Sequence, residues 1–211
     1  EGGKTVYYAP DEISREAERA LLKDDGGEVE IGRVIKMSKS KKNTVDPDTI
    51  IATYGADAVR WFMLSDSPPE RDLPWSEAGI EGCARFVQRV WRLVSDTTEG
   101  EQGEDLDLRR KTHKTIVAVA QDIEALSFNK AVARLYELTG AIEKAQPSAD
   151  RRDAIVALTK LVSPMMPHLA EEAWHRAGEE GLIAEAAWPE HDPAMLVEDE
   201  VTIAVQHKGK L

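Results

Sequence analysis

The stretch SEAGIEGCARFVQRVWRLV, residues 76–94, decides how this chain folds. Ser76 is a residue type that often caps the start of a helix. Apolar side chains then recur at helical spacing along one face, at Ile80, Cys83, Val87, Val90 and Val94. A helix with one apolar stripe is stable only when other helices cover that stripe.

The sequence after this helix supplies such partners. Four more segments have helical apolar spacing, marked by Leu108, Ile116, Val119, Ile123 and Leu126; by Phe128, Val132, Leu135, Leu138 and Ile142; by Ile155, Leu158 and Val162; and by Leu169, Ala173 and Trp174. Pro164 and Pro167 interrupt the chain before the last one. Because the loops are short and polar, the sequence predicts a mainly α fold, an antiparallel helical bundle over residues 68–177.

A basic loop precedes the bundle, within residues 33–67. Between Arg33 and Val45 there is no acid, and five basic residues occur: Arg33, Lys36, Lys39, Lys41 and Lys42. Ammonium groups on a short loop ahead of a helix N-terminus suit phosphate oxygens. The other interpretation is an ordinary solvated loop, since most short basic runs are solvated.

Two short helices should follow this loop. Asp46 is a suitable N-cap with Pro47 at the first helical position, and Gly55 is a suitable stop. The second helix, residues 56–64, should place Ala58, Val59, Phe62 and Met63 in the core and end before Ser67-Pro68-Pro69. We expect Asp57 and Arg60 to make a local cap or ion pair that supports the base of the loop.

The two ends of the chain have weaker signals. In residues 1–32 we expect a β-like run at 5–8, a charged stretch, a turn at 24–27 and a strand at 28–35, a small α/β piece without its own core. Residues 178–211 should form a connector and one strand at 201–205. The chain starts without Met and stops inside that strand-like run, so we expect a piece of a longer protein.

Composition narrows the class of protein. The net charge of −12 restricts any nucleic-acid contact to local patches. Cys83 is the one cysteine, which excludes an internal disulfide and favours a reducing compartment. No apolar run approaches bilayer length. We therefore expect a cytoplasmic protein with no membrane contact and no metal site.

The motifs carry a family resemblance. The five residues Lys36, Met37, Ser38, Lys39 and Ser40, followed by Asn43, Val45-Asp46-Pro47 and residues 54–60, resemble the second catalytic motif of class I aminoacyl-tRNA synthetases. Residues 67–76, with Gly79 to Gly82 and Arg85 to Leu93, resemble the bacterial leucyl enzymes in particular. Further matches are Arg109-Arg110, residues 113–116, Phe128-Asn129, residues 164–168 and Trp188-Pro189. One departure is Lys42, where this family often has glycine or asparagine.

The resemblance implies a leucine–tRNA ligase, which joins leucine to ATP and then transfers leucine to tRNA(Leu). It implies that the ATP-binding residues are Lys36, Met37, Ser38, Lys39 and Ser40, with Lys36 and Lys39 as the catalytic pair and Lys39 on the pyrophosphate. ATP would bind with Mg²⁺ in the full-length enzyme, and that enzyme would be a monomer. The family's first motif, His-x-Gly-His, does not occur in this chain, so we expect the 211 residues to be inactive alone and to retain no cofactor tightly.

The helical bundle would then be the anticodon-binding domain and contact tRNA phosphates. The residues proposed for this contact are Arg109, Arg110, Lys114, Arg85 and Arg89. For Arg85, Arg89 and Arg92 the spacing alone favours a solvated helix face paired with Glu77 and Glu81. Two other functions stay open: a stand-alone helical RNA-binding module, and a structural bundle whose basic loop binds nothing. The tryptophans at 61, 75, 91 and 174 are expected to pack between helices.

Overall fold

The computed structural model describes residues 5–16, 19–96 and 103–197. The chain divides into two compact units, Glu1–Thr53 and Tyr54–Leu211. The strand predicted at 201–205 lies outside the described residues.

The first unit contains a small antiparallel sheet ahead of the basic loop. Its strands are β1 (Ile13–Glu16), β2 (Arg19–Leu22) and β3 (Glu28–Val29), in the order β1-β2-β3. The predicted turn at 24–27 is confirmed: it joins β2 to β3, and Gly26 has a φ of +71°. The side chain of Asp25 accepts a hydrogen bond from the Gly27 N–H at 2.8 Å.

The other strand predictions for this unit need correction. Residues 5–8 form no regular strand, and the strand predicted at 28–35 is limited to Glu28–Val29. The charged stretch instead contains a 3₁₀ turn, Pro10–Glu12, followed by β1 and β2. These two strands combine charged and apolar residues without alternation, and only Ala20 in them is buried. The period-two signal that would reveal a strand is therefore missing.

Seven α-helices follow the sheet in the described part of the chain. They are α1 (Pro47–Tyr54), α2 (Ala56–Ser65), α3 (Glu77–Ser95), α4 (Leu106–Glu124), α5 (Phe128–Lys144), α6 (Ala149–Val162) and α7 (Pro167–Arg176). Hydroxyl and carboxylate side chains cap the first turns of three helices of the bundle. The side chains of Ser76, Asp105 and Ser148 accept backbone N–H groups from the first turns of α3, α4 and α6 at 3.0–3.1 Å.

The second unit is the predicted mainly α bundle, and this prediction is confirmed. Helix α4 packs against α5 and α6, α2 against α3 and α5, and α7 against α3 and α6. The centre is filled by fully buried aliphatic and sulfur-containing side chains, including Leu135, Leu138, Ile142, Leu158, Leu161, Met165 and Met166. Cys83 belongs to the same apolar core, and burial raises the pKa of its thiol.

Two predicted core residues are exposed. Met63 is 56% exposed because Ala58, Trp61 and Phe62 form the buried face of α2. Leu126 is 58% exposed because α4 has already ended and its backbone turns into the left-handed region, with a φ of +53°.

Trp61 is fully buried and stacks on Phe86 with ring centroids 4.9 Å apart.

Candidate functional site

The basic loop of the first unit has a defined backbone shape. Residues Lys39–Lys41 form a 3₁₀ turn. It is closed by the N–H of Lys41, which donates to the Ser38 carbonyl at 3.0 Å, and by the N–H of Lys42, which donates to the Lys39 carbonyl at 3.1 Å. Lys36 and Lys39 are exposed. The turn thus presents the Lys39 ammonium group to solvent.

One side-chain amide crosses the loop. Asn43 accepts a hydrogen bond from the Ser38 N–H at 2.7 Å, and its own amide donates to the Lys36 carbonyl at 3.4 Å. The hydroxyls of Ser38 and Ser40 are 2.8 Å apart and bond to each other. The sequence alone indicates no separate role for Asn43. The one indication was the residue type, since the side-chain amide of an asparagine often bonds to backbone groups nearby in sequence.

The positive charge of the loop is mostly not neutralised. Within the described part of the first unit, no ion pair involves Arg33, Lys36, Lys39 or Lys41. Lys42 is different, since its ammonium group contacts the Glu12 carboxylate at 3.0 Å. Four cations close together in sequence, without acid partners, are a suitable arrangement for a polyphosphate.

The start of α1 does not contribute to such a site. The carboxylate of Asp46 accepts the N–H of Asp48 and the hydroxyl of Thr49, both at 3.1 Å. This confirms the predicted N-cap. A carboxylate therefore already occupies the position that an anion would take at this helix N-terminus.

The structure also corrects the roles of Asp57 and Arg60, which bind distant backbone rather than the base of the loop. The buried carboxylate of Asp57 accepts the Leu169 N–H at 2.6 Å and lies 2.9 Å from Nδ1 of His168. Arg60 donates to the carbonyls of Pro164 and Met165 at 2.8 and 3.1 Å. Both residues of α2 therefore secure the turn that joins α6 to α7.

The basic residues proposed on α3 are bonded to acids. Nη1 of Arg85 lies 3.7 Å from Oε2 of Glu81, one turn away on the same helix. This agrees with the interpretation of these arginines as a solvated helix face. Arg89 instead reaches α5, where it donates two hydrogen bonds to the carboxylate of Glu143 at 2.6 and 2.5 Å. The hydrogen bonds from Arg89 lower the pKa of Glu143, and they raise the pKa of Arg89 in turn.

The basic residues of α4 lie in its first three turns. In Arg109, Nε lies 3.3 Å from Oδ1 of Asp150 in α6, and Nη1 lies 3.9 Å from Oε2 of Glu104. Arg110 and Lys114 are half-buried and one turn apart, on the same face of the helix. Lys111 pairs with Glu137 of α5 at 2.5 Å. The structure thus brings Arg110 and Lys114 together, whereas Arg85 and Arg89 lie on another helix.

The tryptophans pack against other side chains, as predicted. Trp61 donates to the Tyr136 hydroxyl at 3.0 Å, and Trp75 makes an edge contact with Phe62. Arg176 lies over the ring of Trp91 and Lys160 over that of Trp174, at 5.6 and 5.2 Å. In the described ranges, three or more His, Cys, Asp or Glu residues do not cluster closely enough to bind a metal ion. None of the described helices is long and apolar enough to span a membrane.

Comparison with known families defines the class of protein. Residues 105–210 match the family model of the anticodon-binding domain of tRNA ligases, and residues 28–76 match that of class I tRNA synthetases for I, L, M and V. The first match covers half of the chain, so the chain belongs to the family of tRNA ligase anticodon-binding domains.

Similar sequences include several leucine–tRNA ligases. The chain is 70% identical to that of Novosphingobium aromaticivorans over 211 residues and 62% identical to that of Sphingopyxis alaskensis over 216 residues. All of the chain is covered in both cases, but only 25% of each relative. The chain therefore spans about a quarter of the length of these relatives, and the predicted resemblance to bacterial leucyl enzymes is confirmed.

A solved structure agrees with this assignment. A leucyl-tRNA synthetase of Agrobacterium radiobacter, in a ternary complex with tRNA and LeuAMS, matches 77% of this chain with a TM-score of 0.67 and 27% identity. The matched region is 23% of that protein.

Proposed function

We propose that this chain is the part of a leucine–tRNA ligase that carries the ATP-phosphate loop and a tRNA-binding bundle. The observation that supports the loop's role most directly is its unneutralised charge, at Arg33, Lys36, Lys39 and Lys41, in a chain of net charge −12. The matches to class I synthetases support the same reaction, formation of leucyl-adenylate from leucine and ATP, followed by transfer to tRNA.

The loop's contribution to this reaction is electrostatic. When the leucine carboxylate attacks the α-phosphate of ATP, negative charge shifts onto the departing pyrophosphate. Ammonium groups that contact those oxygens stabilise the transition state without covalent chemistry. Lys36 and Lys39 are exposed and have no competing carboxylate in the described part of their unit, so they can take this role, with Lys39 on the pyrophosphate. Met37, Ser38 and Ser40 complete the binding loop.

A magnesium ion bound with ATP would find no carboxylate ligand in this loop. Mg²⁺ takes oxygen ligands, commonly carboxylates together with substrate phosphates and water. From Arg33 to Val45 the chain offers no carboxylate. Any carboxylate ligand of that ion must therefore come from outside this loop.

The test of the loop is ATP–pyrophosphate exchange in the full-length ligase that contains this segment. Lys39→Ala should reduce kcat for exchange by about a hundredfold, the size of effect that removing one transition-state donor has elsewhere. Lys23→Gln is the matched control, since it removes a lysine from the hairpin turn of the same unit. Equal activity of Lys39→Ala and the control would contradict the proposal. The isolated chain should show no exchange at all.

For the bundle we propose contacts with tRNA(Leu) through Arg109, Arg110 and Lys114, with Arg85 and Arg89 as secondary candidates. The anticodon-binding family match supports this, as does the structural relative that was solved with tRNA. Arg89 ranks lower because its Nε and Nη2 groups already donate to the carboxylate of Glu143. Localisation in the cytoplasm and a monomeric state belong to the same proposal.

The tRNA contact can be measured by filter binding across a salt series. Arg110→Gln or Lys114→Gln should weaken binding and reduce the salt slope by about one charge each, because each phosphate contact releases counterions. Lys144→Gln, an exposed residue in the last turn of α5, is the matched control. Unchanged slopes for both α4 variants would contradict this part of the proposal. Full-strength tRNA binding by the isolated chain would instead favour the stand-alone RNA-binding module.

A further inference from the structure

Lys42 combines two unusual features. Its backbone adopts a φ of +51°, in the left-handed region that favours glycine or asparagine. Its ammonium group contacts both carboxylate oxygens of Glu12, at 3.0 and 3.1 Å, across 30 residues of sequence. Lys42 therefore combines a disfavoured backbone conformation with an ion pair to a residue distant in sequence.

Glu12 is itself fixed to the sheet. Its carboxylate accepts the N–H of Ala9 at 2.5 Å, and its backbone carbonyl accepts the N–H of Lys23 at 3.0 Å. The hydrogen bond from Ala9 and the one from Lys42 lower the pKa of Glu12, so the carboxylate stays ionised at neutral pH. Lys42 is thus bonded to a group whose own position is set by the hairpin of β1 and β2.

Lys42 is also the residue that closes the turn carrying Lys39. Its N–H donates to the Lys39 carbonyl at 3.1 Å and ends the 3₁₀ turn. A shift of Lys42 would therefore break this hydrogen bond and free the backbone of Lys39. The neighbouring Lys41 belongs to the same turn and makes no ion pair in the described part of the unit.

We propose that Glu12 is a positioning residue for Lys39, acting through its ion pair with Lys42. The ion pair fixes the end of the 3₁₀ turn and leaves the other cations of the loop available for phosphate. The catalytic consequence rests on the proposed function, whereas the effect on the loop does not. The two effects are therefore measured separately.

The effect on the loop is measured in the 211-residue chain by NMR exchange of the Lys41 and Lys42 amides with water. Glu12→Gln keeps an oxygen for the Ala9 N–H but removes the charge that Lys42 contacts. Glu12→Gln and Lys42→Gln should each speed exchange by about two- to fivefold, the range for an exposed ion pair. The double variant should exchange no faster than either single variant, because both remove the same contact.

The matched control is Arg19→Gln, which breaks an exposed ion pair within the sheet, between Arg19 and Glu28 at 3.1 Å. It should leave the two loop amides unchanged. Additive effects of Glu12→Gln and Lys42→Gln, or no effect of either, would overturn the proposal. High salt should abolish the difference between the wild type and Glu12→Gln, since an exposed pair is screened.

The catalytic effect is measured by ATP–pyrophosphate exchange in the full-length ligase. Glu12→Gln and Lys42→Gln should change the kcat or KM for ATP by about two- to fivefold and leave the KM for leucine unchanged, while Lys42→Arg should restore most of the loss. If the loop amides respond but the ATP parameters do not, the positioning role is wrong while the proposed function stands. If Lys39→Ala is also fully active, both the positioning role of Glu12 and the proposed function of the loop are contradicted.

Discussion

At the scale of single residues, the least predictable feature of this chain is the position of Asp57. It lies in the first turn of α2, where an acid is favourable for its own helix. Its carboxylate nevertheless points to another helix and caps α7, bonding the Leu169 N–H at 2.6 Å. At 6% exposure it is one of the few buried charged side chains, and the hydrogen bonds that it accepts offset the cost of that burial.

We expect Asp57→Ala to lower the free energy of unfolding by about 2 kcal/mol, because it leaves the first N–H groups of α7 without their acceptor. Asp57→Asn should cost about half as much, since it keeps one oxygen. The measurement is urea unfolding followed by circular dichroism at 222 nm. Asp48→Ala is the matched control, as Asp48 is an exposed acid in the first turn of α1. Equal losses for Asp57→Ala and Asp48→Ala would contradict the capping role.

At the scale of elements, the contact between α2 and α3 depends on a glycine. A Cβ added at Gly79 would lie 2.7 Å from Cε2 of Phe62 and 3.2 Å from Cβ of Ser76. Phe62 is almost fully buried and has an edge contact with Trp75, so its ring has little room to move. Gly82, one turn later on the same helix, has only the end of the Arg85 side chain nearby, at 3.7 Å.

We therefore expect opposite effects from the same substitution at these two glycines. Gly79→Ala should destabilise the fold by about 1–3 kcal/mol, because the overlap with Phe62 outweighs the gain in helix propensity. Gly82→Ala should stabilise it by about 0.5–1 kcal/mol through that propensity gain alone. Thermal unfolding of the two variants side by side provides the measurement. A stabilising Gly79→Ala would show that Phe62 does not limit the approach of α2 to α3.

The contact between α3 and α5 should depend on pH through Glu143. The hydrogen bonds from Arg89 lower the pKa of this carboxyl below its ordinary value of 4.5. A lowered pKa in the folded state means that the stabilisation is fully present above about pH 4.5 and is lost as pH falls through the folded-state pKa. Above pH 5, Glu143→Gln should cost about 0.5–1 kcal/mol.

The measurement for Glu143 is the unfolding free energy of wild type and Glu143→Gln between pH 7 and pH 3. The difference between the two proteins should be constant down to about pH 5 and should shrink below about pH 4.5. Glu81→Gln is the control, because its contact with Arg85 is longer and more exposed. A difference that grows toward low pH would have the wrong sign for this ion pair.

The elements differ in how far the sequence reveals them. Helix α3 was predictable, because one continuous segment contains both its N-cap, Ser76, and apolar residues at helical spacing from Ile80 to Val94. The hairpin of β1 and β2 was not, because its strands lack alternation. The partners of Asp57 and Lys42 were also hidden, since they lie 112 and 30 residues away in sequence. Patterns read within one segment contain no information on such pairs.

In the candidate site, too, contacts between residues distant in sequence could not be predicted. The basic loop was evident from composition and motif, but the 3₁₀ turn that it contains was not predicted. The amide of Asn43 and the ion pair of Lys42 define the loop's shape, but they depend on the fold of the polypeptide around it. Arg109 and Arg89 show the reverse case, since the sequence marks them as cationic while the structure gives both acid partners.

At the scale of the whole molecule, the two units differ in how much core they contain. Among the described residues of the first unit, Ala20 is the one buried apolar side chain, whereas the second unit buries aromatic and aliphatic residues from six helices. Burial of apolar surface is the main favourable term in folding. The sheet and its loop should therefore open at a lower free energy than the bundle.

Hydrogen exchange followed by mass spectrometry tests this difference in the 211-residue chain at neutral pH. Peptides covering β1 and β2 should exchange at least about a hundredfold faster than peptides covering α5 and α6, because sub-global opening exposes the sheet without unfolding the bundle. In each comparison, rates are corrected for the intrinsic exchange of the peptide sequence. Trp61→Ala, which removes a fully buried ring stacked on Phe86, should speed exchange in α5, since it weakens the core that limits opening there. Equal protection of β1, β2, α5 and α6 in the wild type would mean that the small sheet has a source of stability other than its own core.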